Sequence, residues 1–278
     1  MGSFAEKALQ KLIDDQAMNI KIEEDDYFVD GLLYCGKCHT PKQCRLKVDD
    51  QIFTPMCLCK CAKEKVDAEK QEEKRKEHEQ RVEELKLVGL PESRMRSWCF
   101  ANDDGGNERL SRIARKYVQN FEQMRERGKG LLLYGAVGTG KSFMAACIAN
   151  ALIEQEHPCI MTTLFNLNNK LWDSTADCFS KISKSHLLII DDFAAERKTE
   201  YMNEFVQNII DQRYRSGEPM VITTNLTAEE IKFPADIKDQ RLFSRLLEMC
   251  IPIEVKGNDR RKSQLKKDYR DLEEVLGL

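Results

Sequence analysis

The chain has 278 residues, enough for about two domains of average size, and this length excludes a small scaffold held together by disulfides. Its 44 basic and 47 acidic residues give a net charge of -3, so a nucleic-acid surface would be a local patch. The sequence has neither a long apolar run nor a signal-peptide core, so we expect a cytoplasmic protein with no membrane span.

The first segment, residues 4–17, carries an apolar stripe. Phe4, Leu9, Leu12 and Ile13 recur at spacings of three to five residues, which is typical of one face of a helix. An amphipathic helix needs a surface to cover its apolar face. The segment therefore predicts attachment to a partner.

Six of the eleven cysteines are concentrated between residues 35 and 61. A disulfide framework requires an oxidising compartment, and the sequence has no secretory signal, so reduced thiols gathered on a metal are favoured. The motifs C-x-x-C and C-x-C-x-C, 18 residues apart, have the spacing of a tetrahedral zinc site. We predict one Zn²⁺ held by four of Cys35, Cys38, Cys57, Cys59 and Cys61, with Cys44 and His39 as outside alternatives.

The stretch 63–86 holds 8 basic and 9 acidic residues and only three large apolar ones. This pattern predicts a solvated helix, because a coiled-coil seam would need more apolar positions. Gly and Pro end the helix at residues 89–91. The predicted domains are a small helical zinc-binding domain at 1–61, a charged helical linker at 62–88, and a second, larger domain at 89–278.

Five short apolar runs alternate with helical segments in the second half of the chain. This alternation predicts an α/β fold with a mainly parallel sheet covered on both faces. The runs are residues 130–135, 159–164, 186–192, 220–225 and 250–255.

The strongest chemical signal is the sequence GAVGTGKS at residues 135–142, which matches the phosphate-loop motif G-x-x-x-x-G-K-[ST]. A predicted strand precedes it and a predicted helix follows it, as phosphate binding requires. Glycines let backbone N–H groups approach the phosphates of ATP, the lysine neutralises them, and the serine hydroxyl ligates Mg²⁺. The predicted nucleotide-binding residues are Gly135, Gly138, Thr139, Gly140, Lys141 and Ser142.

Polar residues end the next two core strands. Asp191 and Asp192 follow an apolar run, and adjacent strand residues point to opposite sides, so we expect different roles for them. Asp191 is predicted to hold Mg²⁺, and Asp192 to orient or deprotonate the attacking water. Asn225 is expected to hydrogen-bond that water or the terminal phosphate, with an Asx turn as the alternative. Trp98 could border the adenine or pack in the core.

Three blocks of residues 91–278 resemble the AAA+ ATPase domain of bacterial and phage replicative helicase loaders, the DnaC/DnaI type. They are also similar to the IstB-type helper ATPases of certain transposases. The blocks are GAVGTGKS, LLIIDDFAAERKTEYMNEFVQNIIDQRYRSGEPMVITTNLT and RLFSRLLEMCIPIEVKGNDRR. The resemblance implies a five-stranded sheet in the order 5-1-4-3-2, ATP bound between subunits and no sizeable carboxy-terminal lid.

The same resemblance implies roles for individual residues. Asn225 matches the sensor 1 position, Arg245 an arginine finger acting on the ATP of a neighbour, and Arg261 the sensor 2 position. Arg241 and Arg260 are the alternatives for the two arginines. Many AAA+ proteins have Glu where this chain has Asp192, and the shorter acid predicts slow, switch-like hydrolysis. The cysteine-bearing segment resembles the amino-terminal domain of some phage and Gram-positive loaders.

Together these features predict an ATPase that loads a hexameric replicative helicase onto single-stranded DNA and assembles into a ring or spiral. Arg197 and Tyr201 lie in a charged and aromatic segment after the acidic strand that could contact the DNA. A transposition helper ATPase that binds duplex DNA and a transposase is the main alternative. A generic ATP-dependent chaperone is a third. The amphipathic segment and zinc module favour the loader, because a partner-binding domain needs an attachment surface.

Overall fold

The structure is a computed structural model, and the chain divides into two compact units, Met1–His78 and Glu79–Leu278. The boundary falls within one long helix. The structure describes residues 21–48, 51–168, 175–193, 200–234 and 236–260, together with Tyr269 and Leu276. The predicted amphipathic helix at residues 4–17 lies outside these residues.

Two short antiparallel hairpins make up the first part of the amino-terminal unit. Strands β1 (Tyr27–Val29) and β2 (Leu32–Tyr34) pair in one hairpin, and β3 (Leu46–Val48) and β4 (Gln51–Phe53) in the other. Asp30 and Gly31 join β1 to β2 with φ of 50° and 74°, as a two-residue hairpin turn requires. Among the described residues before α1, the structure therefore has hairpins where the expectation was a helical domain, and the Asp-Gly turn reverses the chain in the first of them.

Helix α1 (Lys60–Gly89) covers the charged segment. Most of its side chains are exposed, and ion pairs one turn apart, such as Arg75 with Glu72 at 2.7 Å, lie on its surface. Within the second unit, Val82 of this helix is buried in the core. The helix is thus solvated over most of its length, with contacts at its first turn, where Cys61 lies, and packing near its carboxyl end.

Short helices precede the sheet of the second unit. They are α2 (Ser93–Arg96), a 3-10 turn (Phe100–Asn102), α3 (Glu108–Gln119) and α4 (Phe121–Glu126). Asn107 begins α3 by accepting a hydrogen bond from the Leu110 N–H through its side chain. The buried side of α3 packs in the same core as the first helix after the phosphate loop.

Five parallel strands form the sheet of the second unit. The strands are β5 (Gly130–Tyr134), β6 (Cys159–Thr163), β7 (Leu187–Phe193), β8 (Met220–Thr224) and β9 (Cys250–Glu254). The helices between them are α5 (Lys141–Ile153), α6 (Leu164–Asn168), α7 (Thr175–Lys184), α8 (Glu200–Ser216), α9 (Ala228–Lys232) and α10 (Ile237–Met249). The spatial order of the strands is β6-β7-β8-β5-β9. If these five strands are numbered 1 to 5 along the chain and the sheet is read from β9, this is the predicted order 5-1-4-3-2.

Two apolar cores cover the two faces of this sheet. Leu131 and Leu133 of β5 belong to one core, whereas Leu132 between them belongs to the other. This alternation follows from the two-residue period of a strand. The sheet is therefore buried on both faces, and its strand ends are held rigidly.

An arginine with no exposed surface, Arg213 of α8, fixes one end of the second core. Its guanidinium donates to the carbonyls of Ile182, Ser185 and Pro219 at 2.6–3.1 Å. Burial lowers the pKa of Arg213 to about 10. Among the described helices, none is both long and apolar enough to cross a lipid bilayer.

Candidate functional site

The phosphate loop joins β5 to α5 and has the backbone geometry that its glycines permit. Gly135, Gly138 and Gly140 have φ of 135°, 77° and 95°, a region that favours glycine. A side chain at Gly138 would lie 1.9 Å from an Asp259 oxygen. The hydroxyl of Thr139 is used within the loop, where it donates to the Ala136 carbonyl at 2.9 Å. The loop is thus preformed before α5 begins at Lys141.

Lys141 connects the loop to the neighbouring strand. Its ammonium is buried and donates to the carbonyls of Gly135 and Ala136 and to the Asn225 side chain, at 2.7–2.8 Å. Asn225 directly follows β8, which pairs with β5, so the strand order explains the contact. The predicted phosphate-binding lysine and the predicted sensor residue therefore meet in one site.

The two aspartates at the end of β7 differ in environment. Asp191 is buried, whereas Asp192 is exposed at the site. Burial raises the pKa of Asp191, and hydrogen bonds from Thr223 and Ser142 oppose that shift. Asp191 therefore lies beside the phosphate-loop serine. The two side chains bring together oxygen atoms of the kind that Mg²⁺ prefers as ligands.

A cavity of about 660 Å³ opens over the loop. This volume is in the range of small-molecule sites. Trp98 and Phe143, whose ring centroids lie 5.8 Å apart, supply an aromatic part of the wall. The lining comprises Arg94, Trp98, Asn102, Asp104, residues 137–143, Asp192, Asn225 and Arg260.

The cysteine cluster lies in the other unit. The thiol sulfurs of Cys35, Cys38, Cys59 and Cys61 all lie within 4.8 Å of one another. The closest pairs are Cys59 with Cys61 at 3.4 Å and Cys35 with Cys61 at 3.6 Å. A tetrahedron with Zn–S bonds of about 2.3 Å has edges of about 3.8 Å, so four thiolates at these positions fit Zn²⁺.

The remaining candidates face elsewhere. The Cys57 sulfur lies 3.6 Å from the Pro41 carbonyl and the Cys44 sulfur 3.9 Å from that of Pro55, and neither belongs to the cluster. His39 contacts the Tyr27 hydroxyl. The cluster is therefore the Cys35, Cys38, Cys59 and Cys61 combination, one of those that the spacing left open.

A buried ion pair supports the same unit. Lys42 and Asp26 lie 2.5 Å apart, and both side chains are almost completely buried. Burial alone would lower the pKa of Lys42, but the hydrogen bond and charge of Asp26 outweigh it and raise the pKa, with a further contribution from Cys35 and Cys59. A positive charge near clustered thiols favours their thiolate form.

Residues 61–268 match the family described as IstB-like ATP binding protein, which is more than half of the chain. The chain belongs to this family. It is an ATPase with the AAA+ type of phosphate-loop core, as the motif and the strand order had predicted.

Two relatives of this IstB-like chain carry the name replicative helicase loader. The replicative helicase loader DnaI of Bacillus subtilis (strain 168) is 31% identical over 150 residues, covering 49% of this chain and 48% of that protein. The replicative helicase loader DnaC of Escherichia coli (strain K12) is 27% identical and covers 42% of this chain and 50% of that protein. The chain thus spans about half the length of these curated relatives.

The solved structures agree on the fold. The crystal structure of DnaI superposes with a TM-score of 0.51 at 24% identity, covering 63% of this chain and 98% of that one. The crystal structure of the DnaC helicase loader gives 0.50 at 23%, covering 59% and 100%. At these identities, the likeness supports the arrangement of strands and helices alone.

The predicted arginines have different positions. Arg245 of α10 forms an ion pair with Asp211 of α8 and is not among the residues that line the cavity. Arg260 does line it: its N–H donates to the Gly138 carbonyl at 3.0 Å, and its guanidinium lies 2.9 Å from Asp104. Arg261 lies outside the described residues.

Other predictions also fall outside the described part of the chain. Arg197 is not described, and neither is the side chain of Tyr201. Sequence reasoning did not identify Arg94, Asn102 or Asp104 as part of the nucleotide site. These three precede the sheet in segments without a recognisable motif, so only the folded chain brings them to the cavity.

Proposed function

We propose that this chain loads a hexameric replicative DNA helicase onto single-stranded DNA, with ATP binding and slow hydrolysis as the assembly switch. The observation that carries the proposal is that relatives named replicative helicase loaders match 42–49% of this chain. The cysteine cluster belongs to a separate compact unit. Because this unit is separate, its surface is not needed for the fold of the ATPase core and is available to a partner.

The nucleotide site assigns a role to each side chain. Lys141 neutralises the outer phosphates, and its present contact with Asn225 keeps the ammonium directed into the site. Ser142 and Asp191 would hold Mg²⁺, which would neutralise charge on the phosphates. Asp192, exposed at the cavity, orients the attacking water, with Asn225 as a second hydrogen-bonding group.

Self-assembly into a ring or spiral is part of the proposal, and Arg245 is the residue that we assign to the contact between subunits. Its guanidinium does not line the cavity of its own chain, so we assign it to the nucleotide of a neighbouring subunit. A planar, permanently charged guanidinium suits charge on a transferring phosphoryl group. Arg260 is our sensor 2 residue, with Arg261 as the alternative.

The amino-terminal unit is assigned to the helicase. One Zn²⁺ on Cys35, Cys38, Cys59 and Cys61 would hold the two hairpins, and residues 4–17 would supply an apolar contact surface. Contact with single-stranded DNA is assigned to Arg197 and Tyr201. Since the net charge is -3, this contact should be weak in one subunit and additive across an assembly.

Binding of a purified replicative helicase tests the proposal. The tagged full chain should retain the hexamer on affinity resin and transfer it to circular single-stranded DNA when ATP is present. The Lys141→Ala chain should still bind the helicase but fail in transfer. Failure of the parent chain to retain any replicative helicase, with its ATPase activity intact, would exclude the loader role.

A transposition helper is the second candidate, and one observation favours it. The family description is IstB-like, and an insertion-sequence ATP-binding protein of Sinorhizobium fredii is 33% identical over 34% of this chain. A helper of this kind should bind duplex DNA more tightly than single strands and retain a transposase. A comparison of the two DNA forms under assembling conditions therefore separates the two candidates.

A further inference from the structure

The end of β7 contains an irregularity at the two aspartates. Ile190 pairs with Ile222 and Phe193 with Thr224, so Asp191 and Asp192 together face the single residue Thr223. Two residues opposite one define a β-bulge. At Asp192 the backbone has a φ of 51°, in the left-handed region. Such a conformation persists only when surrounding contacts hold it.

The Thr223 side chain supplies those contacts. Its hydroxyl donates to Asp191 Oδ1 at 2.5 Å and accepts from the Asp192 N–H at 2.9 Å. Thr223 is completely buried. A hydroxyl has one proton and two lone pairs, so both contacts can exist at once with no ambiguity of direction. One oxygen atom thus binds the side chain of the first acid and the backbone of the second.

The next residue completes the attachment of the bulge. The Thr224 hydroxyl donates to the Phe193 carbonyl at 2.7 Å and accepts from the Leu226 N–H at 3.3 Å. Asn225, the proposed sensor residue, lies between these two positions. The strand that ends at the sensor therefore also holds the end of the acidic strand through side chains.

We propose that Thr223 is a positioning residue for hydrolysis, whose hydroxyl fixes the Mg²⁺-holding Asp191 and the water-orienting Asp192 relative to each other. The inference rests on the roles proposed above for these two acids. A valine at this position has almost the same shape but can neither donate to Asp191 nor accept from the Asp192 N–H. A serine can do both.

The experiment compares Thr223→Val and Thr223→Ser with a matched control, Thr162→Val. Thr162 is also interior, 3% exposed on β6, and among the described residues its hydroxyl donates only to the adjacent Thr163 carbonyl, at 3.3 Å. All full-length variants are assayed at saturating ATP and assembling concentration for kcat. Affinity for a fluorescent ADP analogue is measured with Mg²⁺ and with EDTA. The ratio of these two affinities is the Mg²⁺-dependent gain in nucleotide binding, and it does not depend on turnover.

We expect Thr223→Val to lose about tenfold in kcat and a similar factor in the Mg²⁺-dependent gain, the loss typical of one hydrogen bond to a charged group. Its affinity in EDTA should stay at the level of the control. Thr223→Ser should restore both quantities. Equal behaviour of Thr223→Val and Thr162→Val, or equal impairment of the serine and valine variants, would overturn the inference.

Two further variants keep the result interpretable. Asp192→Asn in the same assay tests the roles on which the inference rests: if it hydrolyses ATP like the parent, those roles are wrong. If it is inactive while Thr223→Val is normal, the roles stand and the positioning inference fails. If Thr223→Val does not fold, Thr223→Ala replaces it, with Thr162→Ala as its control. Unfolding of both Thr223 variants would assign this residue to stability and overturn the inference.

Discussion

The cysteine cluster and the nucleotide site are built in contrasting ways. The cluster takes its four thiols from two short segments beside hairpins of three-residue strands. The nucleotide site collects residues from distant parts of the sequence onto the ends of a sheet buried on both faces. The first has a small core of its own, whereas the second has a large one.

This difference determines what holds each site together. We expect a unit with so little buried apolar surface to need a bound metal for folding, because the free energy of metal binding then contributes directly to the free energy of folding. The sheet needs no ligand to fix its strand ends, since two apolar cores already do so. If Arg245 acts on the nucleotide of a neighbouring subunit, a single chain leaves its own nucleotide site incomplete.

The largest expected effect tests the dependence of the first unit on metal. Replacing Cys35 and Cys38 by Ser should release one zinc per chain and unfold this unit, because structural zinc contributes on the order of 10 kcal/mol in small domains. Metal analysis and proteolysis of the hairpins report the loss. Nucleotide affinity of the second unit should not change.

Cys57→Ser is the matched control, since its sulfur lies outside the cluster. This variant should retain the zinc. Metal-free parent protein that resists proteolysis like the metal-bound form would refute the dependence of this unit on zinc.

The second effect tests whether the nucleotide site needs a neighbouring chain. Arg245→Ala should lower kcat by about 10³-fold, as an arginine finger does in related phosphoryl transfers. Mixing it with Lys141→Ala should recover activity, because a mixed interface joins an intact phosphate loop to an intact arginine. Arg241→Ala, an exposed change on the same helix at the alternative position for the finger, should leave kcat unchanged if Arg245 is the finger. Unchanged hydrolysis by Arg245→Ala in assembled protein would make Arg241 the next candidate.

The third effect concerns the phosphate loop itself. Lys141→Ala should weaken ATP binding about 100-fold, which corresponds to losing a strong charge-assisted contact. Equilibrium binding of a fluorescent ATP analogue measures it. Lys184→Ala, which removes an exposed lysine at the end of α7, should bind like the parent. The zinc content should be the same in both variants.

The smallest effect tests the independence of the two units. Gly31 in the β1–β2 turn and Gly105 before α3 have φ of 74° and 72°, and a methyl group meets no close neighbour at either position. Each change to Ala should therefore cost only backbone strain, about 1–2 kcal/mol. Gly31→Ala should lower the stability of the first unit alone, and Gly105→Ala that of the second alone, as measured by denaturant titration.

The sequence predicted those parts of the fold that local patterns determine. The loop at residues 135–142 indicated the strand before it and the helix after it, and the strand order followed from the family resemblance. The two hairpins were not anticipated, because strands of three residues have too few positions to display an alternating pattern. The Asp30–Gly31 dipeptide was the signal that could have revealed the first one.

The rest required the folded chain. With Cys35 and Cys38 assigned, the sequence left open which two of Cys57, Cys59 and Cys61 complete the zinc site. Closely spaced cysteines differ only in where their sulfurs point, which the sequence does not show. Arg213 in a helix resembles a surface residue until its carbonyl partners surround it. Arg94, Asn102 and Asp104 reach the cavity through packing, which leaves no local pattern.

The left-handed backbone at Asp192 also restricts which residues this position accepts. Asp and Asn adopt such a conformation more readily than other residues with side chains, and Gly most readily of all. Glu, which many AAA+ proteins carry here, would gain reach at the expense of backbone strain. The choice of residue at this position therefore affects the main chain as well as the reach of the acid, and relaxing the bulge would relieve the strain of a longer carboxylate.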